Sequence, residues 1–569
     1  MDHISEVPRE WWPVWPNPDD LNSMNPKSRI EWMTPLLSFR LLAIFTLFAA
    51  LAPKADAQIY QFYWKDNAGN GNWDWGSSQW YSTQTNGNVG AINYNGGAQL
   101  FFENTGNTTT TINAGGGTGG APAGWIGLNA IFTQNASTGK VYTINSGAGI
   151  NGIFLYNKIE TLNIGTAAGL TVNSAIRLGA ASIEINAVAA NIQLGALDIN
   201  GNTLNSYGNK NLAITGVISG GGSYTLRNQG ITVTLSGAAA NTFTGTTTVM
   251  NTSTLVLNKS ANTAAIAGFV TIDSGATVRT DAANQLNNQL ITANGTLNLN
   301  NNNQSAALAG SGGVTLGSAT LTINNTASDT FSGVISGSGS VIKSGAGTEI
   351  LSGANIYTGG TTVSVGKLLV NNTTGSGTGT NTVSVTGGIL GGTGTIGGAT
   401  TISAGAIHTA ADAGTIGKQT FTTGITYNQD SIFEWNLTAN TDTSIGTRGI
   451  NYDAINTASL ATTGTKSIFR VVLNGGQDFS ENFWNSNRTW ADIFTNVAGN
   501  SNQNIASIFS STFQYYNSSG VLTNPTTTQG SFTFSGTDLN WTVVPEPTSA
   551  MAGLLLAAGL LRRRRHTIQ

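Results

Sequence analysis

Cysteine is absent from all 569 residues. That removes disulfides, thiolate catalysis, cysteine-based zinc or iron–sulfur sites and lipidation at an N-terminal cysteine. Charge is scarce as well: Asp, Glu, Lys and Arg make up 9% of the chain, against about 25% in ordinary globular proteins. Between Gln58 and Glu546 fifteen Lys and Arg stand against twenty Asp and Glu, without a basic cluster. This argues against a nucleic-acid partner, because such binding relies on grouped cations that displace counterions. Of three histidines, only His408 lies between the two apolar ends of the chain. No histidine cluster can therefore hold a metal, and a Ser-His-Asp set would have to be built on that one ring. There is no P-loop, dinucleotide fingerprint or G-G-x-G-x-D calcium repeat, and no cofactor is expected.

Carboxylates are spread thinly. From Gly165 to Ala413 they are Glu184, Asp198, Asp273, Asp281, Asp329, Glu349 and Asp412, with no adjacent pair and no D-x-D. A glycosidase needs two carboxylates flanking one bond, and a lyase needs a base with metal-binding acids. Asp273 and Asp281 are the closest pair in sequence, and their setting suits outward turn positions. The expectation is a protein that is not an enzyme; a β-helix polysaccharide lyase or hydrolase is the third reading.

What is plentiful is glycine, 73 residues, together with Thr, Asn and Ser. Short β-branched runs such as TLNIG, LTVNS, VTIDSG, GTLNLN and NTVSVTGG alternate apolar and polar residues over four or five positions and then break at Gly, Asn or Ser. That is the pattern of short strands joined by tight turns. Residues 216–258 align with 333–371: both read G-V-I-S-G, a strand, a second strand ending L-S-G-A, then N-x-[FY]-T-G-x-T-T-V. Units this short bury their apolar residues only against the units before and after them. The expected fold is all-β, a right-handed β-helix or β-solenoid, with an array of β-sandwiches as the alternative. Gly339 to Val363, GSVIKSGAGTEILSGANIYTGGTTV, resembles the autotransporter-associated β-strand repeat, including Lys343 and Tyr357. The copy at Asn241 to Val249 departs from that pattern, with Thr for the second Gly. The resemblance implies an extracellular β-helical body, adhesive or structural.

The two ends read as addresses. Leu41 to Ala52 is a twelve-residue apolar run after Lys27, Arg29 and Arg40, followed by small residues at Ala55 and Ala57. These are the parts of a secretory signal peptide cut between Ala57 and Gln58, with the Sec export machinery and signal peptidase as partners. At the other end, Pro545-Glu546-Pro547 precedes the apolar run Ala550 to Leu561 and then Arg562, Arg563, Arg564 and Arg565. Twelve residues make a helix of about 18 Å, short of the ~30 Å of a bilayer core, and the arginines orient it with the body outside. The three parts in this order resemble the PEP-CTERM sorting signal of Gram-negative bacteria. That resemblance implies recognition of Pro545, Glu546 and Pro547 by an exosortase-type enzyme, with the short helix held transiently in the inner membrane. An autotransporter carries a C-terminal β-barrel, whereas here an arginine cluster stands at the end, so the tail is the expected route to the surface.

Tryptophan is missing from 165–413 and aromatic residues gather on either side. In Tyr63 to Tyr81, Trp73, Trp75 and Trp80 sit among Asn, Asp and Gln; they either plug the first coil, where large rings bury area that small repeats do not, or stack on sugar rings. The expected organisation is 1–57, N-terminal extension and signal peptide; 58–160, aromatic-rich N-terminal cap and first coils; 161–420, solenoid repeats; 421–542, C-terminal β cap or small β domain; and 543–569, the sorting tail with its short hydrophobic helix. FSENFWNSNRTWADIF is the one stretch of the C-terminal segment that reads as a short helix. Together these features predict a non-catalytic exported protein of the cell surface or extracellular matrix. The alternative is a protein that binds extracellular polysaccharide.

Overall fold

The chain divides into Met1–Gln58 and Ile59–Gln569, and everything described below belongs to the second part. The computed structural model describes residues 122–544 apart from short internal stretches (123–124, 134–140, 147–150, 162–168, 228–229, 413, 439, 475–478, 480, 498–502 and 518–528), and the backbone of six strands between residues 60 and 113. The residues of the expected signal peptide and sorting tail lie outside these.

The alternating runs of the sequence become strands of two to ten residues, and nearly all pair in parallel with the strand one coil earlier and one coil later. In one ladder of 12 strands, Leu212 faces Val233, which faces Leu255, then Val278, Leu297, Val314 and Ile335. Each step uses 17 to 23 residues. Parallel neighbours at so short a spacing leave no room for crossover helices, so the chain winds as a β-solenoid rather than an array of sandwiches. All seven of these side chains are fully buried. Burying one such side chain contributes about 1.5–3 kcal/mol, and each is covered by its neighbours above and below, so no coil is stable by itself. A second inner column runs Ile323, Lys343, Val363, Val385, Ile402, Tyr427, and a third runs Glu349, Leu368, Leu390, His408, Phe433, Phe469.

Glycine has a specific task at the corners. Gly312, Gly333 and Gly353 stack on one another, and a methyl added at Gly333 or Gly353 would overlap the carbonyl oxygen of the glycine one coil before. The coils lie this close because these positions carry no side chain.

The ladders cross residue 420 without a break: Thr400 faces Ile425, Ile407 faces Ile432 and Thr420 faces Asn456. Beyond it the coils lengthen, with Ile432 against Ile468 and Arg470 against Gln514, and larger rings fill the wider interior. Phe469, at the end of the third column, packs edge-on against Phe509, Phe513 and Phe534 at centroid distances of 5.4, 5.7 and 5.2 Å. Phe534 belongs to an antiparallel sheet of Arg488–Trp490, Gly530–Ser535 and Asp538–Val543, which covers this end of the column. The indoles of Trp435, Trp490 and Trp541 are buried and donate to the carbonyls of Asp453, Thr441 and Trp484 at 2.9, 2.7 and 2.9 Å. Among the described residues the helical content is two short 3-10 turns, Asn482–Asn485 and Ile505–Ser507; the first is what FSENFWNSNRTWADIF forms. No helix among the described residues is long and apolar enough to cross a membrane. The expected tail helix at 550–561 falls outside them.

Candidate functional site

The polar residues of the interior come first, because chemistry would start there. The asparagine of each N-x-[FY]-T-G block is buried and joins three coils. Asn355 Oδ1 accepts from the Ile335 amide at 2.7 Å, and its Nδ2 donates to the Gly377 carbonyl at 2.6 Å. Asn241 repeats this with the Ile218 amide at 2.9 Å and the Ala265 carbonyl at 2.8 Å. The aromatic two residues on, Phe243 or Tyr357, is fully buried, and the Tyr357 hydroxyl bonds Thr361 Oγ1 at 2.5 Å. Strand ends at a corner leave backbone groups unpaired, and a side-chain amide satisfies one donor and one acceptor at once.

Lys343 and Glu349 occupy inner positions where the earlier copy has Leu226 and Val233. Lys343 Nζ donates to the Gly345 carbonyl and lies 3.5 Å from that of Val365. Burial draws its pKa down, while the charges of Glu349 and Asp329 oppose this. Glu349 is raised well above the usual carboxylate range, first by burial and then by Asp329, its register neighbour. Winding thus brings these two acids into register. Glu349 has no exposed surface, so its carboxyl does not reach a glycosidic bond, and the position reads as core. Asp273 and Asp281 do not form a pair: the Asp281 carboxylate is held by Arg279 in two contacts of 2.7 Å and by Asn300 at 2.8 Å. Asp198 meets Arg177 at 3.3 Å, and Asp412 pairs with Lys367.

His408 is fully buried in the third column. Its Nε2 lies 2.8 Å from Gln419 Oε1, and Gln419 Nε2 donates to the Gly391 carbonyl. This makes Nε2 the protonated nitrogen and leaves Nδ1 to accept from the Tyr427 hydroxyl at 2.5 Å. Burial pushes the imidazole down to about 4, so the ring stays neutral as part of the core between Phe421 and Phe433. Asp453 is also enclosed. Burial raises it to about 7, although the amides of Gly417 and Asn436 and the Asn436 side chain all donate to it. Among the described residues no group of three His, Cys, Asp or Glu side chains could hold a metal.

The outward positions form ranks. Thr225, Thr248, Thr271 and Thr292 face one another along one sheet, and Thr232, Thr254, Thr277 and Thr296 along the next. Further on, Thr362, Ser384, Thr401 and Thr426 form a third rank. Two residues further along the chain, Ser364, Thr386, Ser403 and Asn428 repeat the polar pattern. Neighbouring coils are about 4.8 Å apart, so these hydroxyls present a regular, largely uncharged surface.

Of the sequence-predicted sites, Trp73 lies on Asn72–Asp74, with its backbone opposite Ile112. Trp80 lies on Trp80–Ser82, opposite Trp64. Their side chains and all of Trp75 lie outside the described residues, as do Ala55, Ala57, Gln58, Pro545, Glu546, Pro547 and Arg562 to Arg565.

Two stretches, 232–251 and 341–370, match the Passenger-associated-transport-repeat family. They carry the two Asn staples, Asn241 and Asn355, with the strands on either side. A 98-residue segment is 42% identical to the Adhesin BmaC autotransporter of Brucella suis biovar 1 (strain 1330). That segment is 17% of this chain and spans 3% of the relative's length. In these repeats the chain is similar to the passenger repeats of autotransporters, on a β-solenoid of stacked parallel coils.

Proposed function

We propose that this protein is an exported, non-catalytic cell-surface protein of the adhesin type, acting through the outer faces of its solenoid. The observation that carries this is the repeat similarity to passenger segments and to an autotransporter adhesin, on a fold whose outward ranks are regular and hydroxyl-rich. Four acids of the coils support the same reading: Asp281, Asp198 and Asp412 are tied to Arg279, Arg177 and Lys367, and Glu349 lies in the core. In this proposal the signal peptide is removed between Ala57 and Gln58. The Pro545-Glu546-Pro547 tail, with its apolar run and Arg562 to Arg565, is then held in the inner membrane of a Gram-negative-type bacterium and recognised by an exosortase-type enzyme. The body goes on to the cell surface or extracellular matrix. Extracellular polysaccharide is the partner in the alternative form of the proposal, with Trp73, Trp75 and Trp80 as stacking rings.

Two experiments test this. Mass spectrometry of the native extracellular protein is expected to show Gln58 as the first residue and no peptide from Leu554 to Arg565; an intact tail in that material refutes tail removal. A deletion strain is expected to attach to surfaces less well than its parent, and equal attachment refutes the adhesive role.

A further inference from the structure

One corner of the solenoid opens into a groove of about 820 Å³, within the usual range for ligand sites. Its wall is built from stacked corner loops. The stretch that joins one ladder to the next is 215–222, with the short strand Ile218–Ser219, in the coil of Asn211–Ile214, and 238–246, 260–269 and 281–289 in the following coils. These loops stack through backbone bonds, Asn241 to Ala264, Asn262 to Ala283 and Asn284 to Asn303, with Asn241 and Gln285 as buried side-chain amides that accept from the Ile218 and Lys259 backbone. The lining runs from Ala238 to Asn324 over five successive coils, about 19 Å at the spacing of parallel strands.

Every lining residue is Ala, Asn, Ser or Thr. Asn262, Asn284, Asn287 and Asn288 hold left-handed backbone, with φ of 62°, 53°, 49° and 57°, and their side chains are exposed. Asn284 Nδ2 donates to Asn262 Oδ1 at 2.6 Å, so amides of neighbouring coils form a ladder that keeps its outer donors and acceptors open. Ala240 and Ala264 also line the groove. An uncharged wall offers nothing to an anionic polymer, while a lining that holds both amides and methyls matches the hydroxyls and C–H faces of a sugar chain.

We propose that this groove binds a segment of a neutral polysaccharide, lying across the coils along the solenoid. The proposal rests on the surface-exposed reading above for where the polymer is met.

The test is affinity electrophoresis of the full chain in gels containing dextran, mannan or galactan, with alginate and casein as the anionic and polypeptide comparisons. Retardation by at least one neutral polysaccharide, unaffected by salt, is expected. Asn284→Gly with Asn288→Gly keeps the left-handed backbone and removes two amides, which is expected to weaken retention about tenfold. Ala240→Trp fills the groove and is expected to weaken it similarly, both variants keeping the parent melting curve. Retention by alginate or casein alone, or neutral-glycan retention that both variants leave intact, overturns the proposal. Retention lost only on Trp73→Ala or Trp75→Ala also overturns it, in favour of the aromatic end. If groove-dependent retention is found while the deletion strain attaches normally, the adhesive reading fails and the groove stands.

Discussion

Asn355→Ala is expected to destabilise the coils around it far more than its size suggests. The side chain makes two bonds to backbone groups of different coils, 2.7 Å from the Ile335 amide and 2.6 Å to the Gly377 carbonyl, and it is buried. Truncation leaves both groups without a partner and out of water. Each such group costs about 1–3 kcal/mol, so the expected loss is about 2–6 kcal/mol, felt in three consecutive coils. Asn381 is the control: it too makes two bonds, donating to the Thr358 carbonyl and accepting from the Thr382 amide, each at 2.8 Å, but it is exposed, so water replaces both partners and Asn381→Ala should cost no more than about 1 kcal/mol. Solenoids open in parts rather than all at once, so the assay is residue-resolved hydrogen exchange. In Asn355→Ala, protection at Ile335 and in the 361–370 strands should fall while 204–214 is unchanged. If the two variants lose equal stability, or Ile335 exchanges as before, the asparagine of the repeat is not a staple and the account of the motif is wrong.

Acid should weaken the C-terminal coils through His408. Its folded value of about 4 lies below the ordinary 6.5, so the neutral ring favours folding above pH 6.5. That contribution, about 3 kcal/mol at 1.36 kcal/mol per unit, is lost as pH falls from 6.5 to 4. Denaturant titrations followed by tryptophan fluorescence should show this slope in the parent and a shallower one in His408→Phe; equal slopes contradict the assignment. Glu349 has the opposite sign. Its raised value means stability is full below the ordinary carboxylate range and falls as pH rises through the folded value, so Glu349→Gln should be more stable than the parent at neutral pH, by thermal melting. A less stable variant would show that the carboxylate is well solvated in the fold. Gly353→Ala should disrupt the corner stack, because its methyl would overlap the Gly333 carbonyl; a soluble variant with parent-like melting contradicts the close stacking.

The short strands, the alternation within them and the glycine-rich turns were legible in the sequence because they repeat locally. Side-chain direction along a strand follows from alternation, and Leu212, Val233 and Leu255 could be placed inside on that basis alone. What remained hidden depends on which coil lies beside which. Asn241 and Asn355 read as turn residues, and their role as staples appears only once amides 20 to 24 residues away are brought alongside. Asp329 and Glu349 are 20 residues apart and become neighbours because one coil has that length. Spacing favoured Asp273 and Asp281 instead, and an arginine two residues before Asp281 separates them. FSENFWNSNRTWADIF has the aromatic spacing of a helix but yields one 3-10 turn, because Trp484 and Trp490 are drawn into the ring cluster of the last coils. The groove was invisible for the same reason as the staples: three loops of ordinary composition form a wall only when stacked.

The central claim is that activity resides in the outer faces of an intact solenoid. It is tested most directly by replacing outward hydroxyls of one rank with charge, Thr362→Lys with Thr401→Lys, in the chromosomal gene, and measuring attachment of the cells with surface display checked by antibody. Unchanged display, an unchanged circular dichroism spectrum for the purified variant, and attachment reduced towards that of the deletion strain are expected. The same attachment as the parent from a strain displaying this variant, with the other two ranks altered likewise and equally without effect, would contradict it.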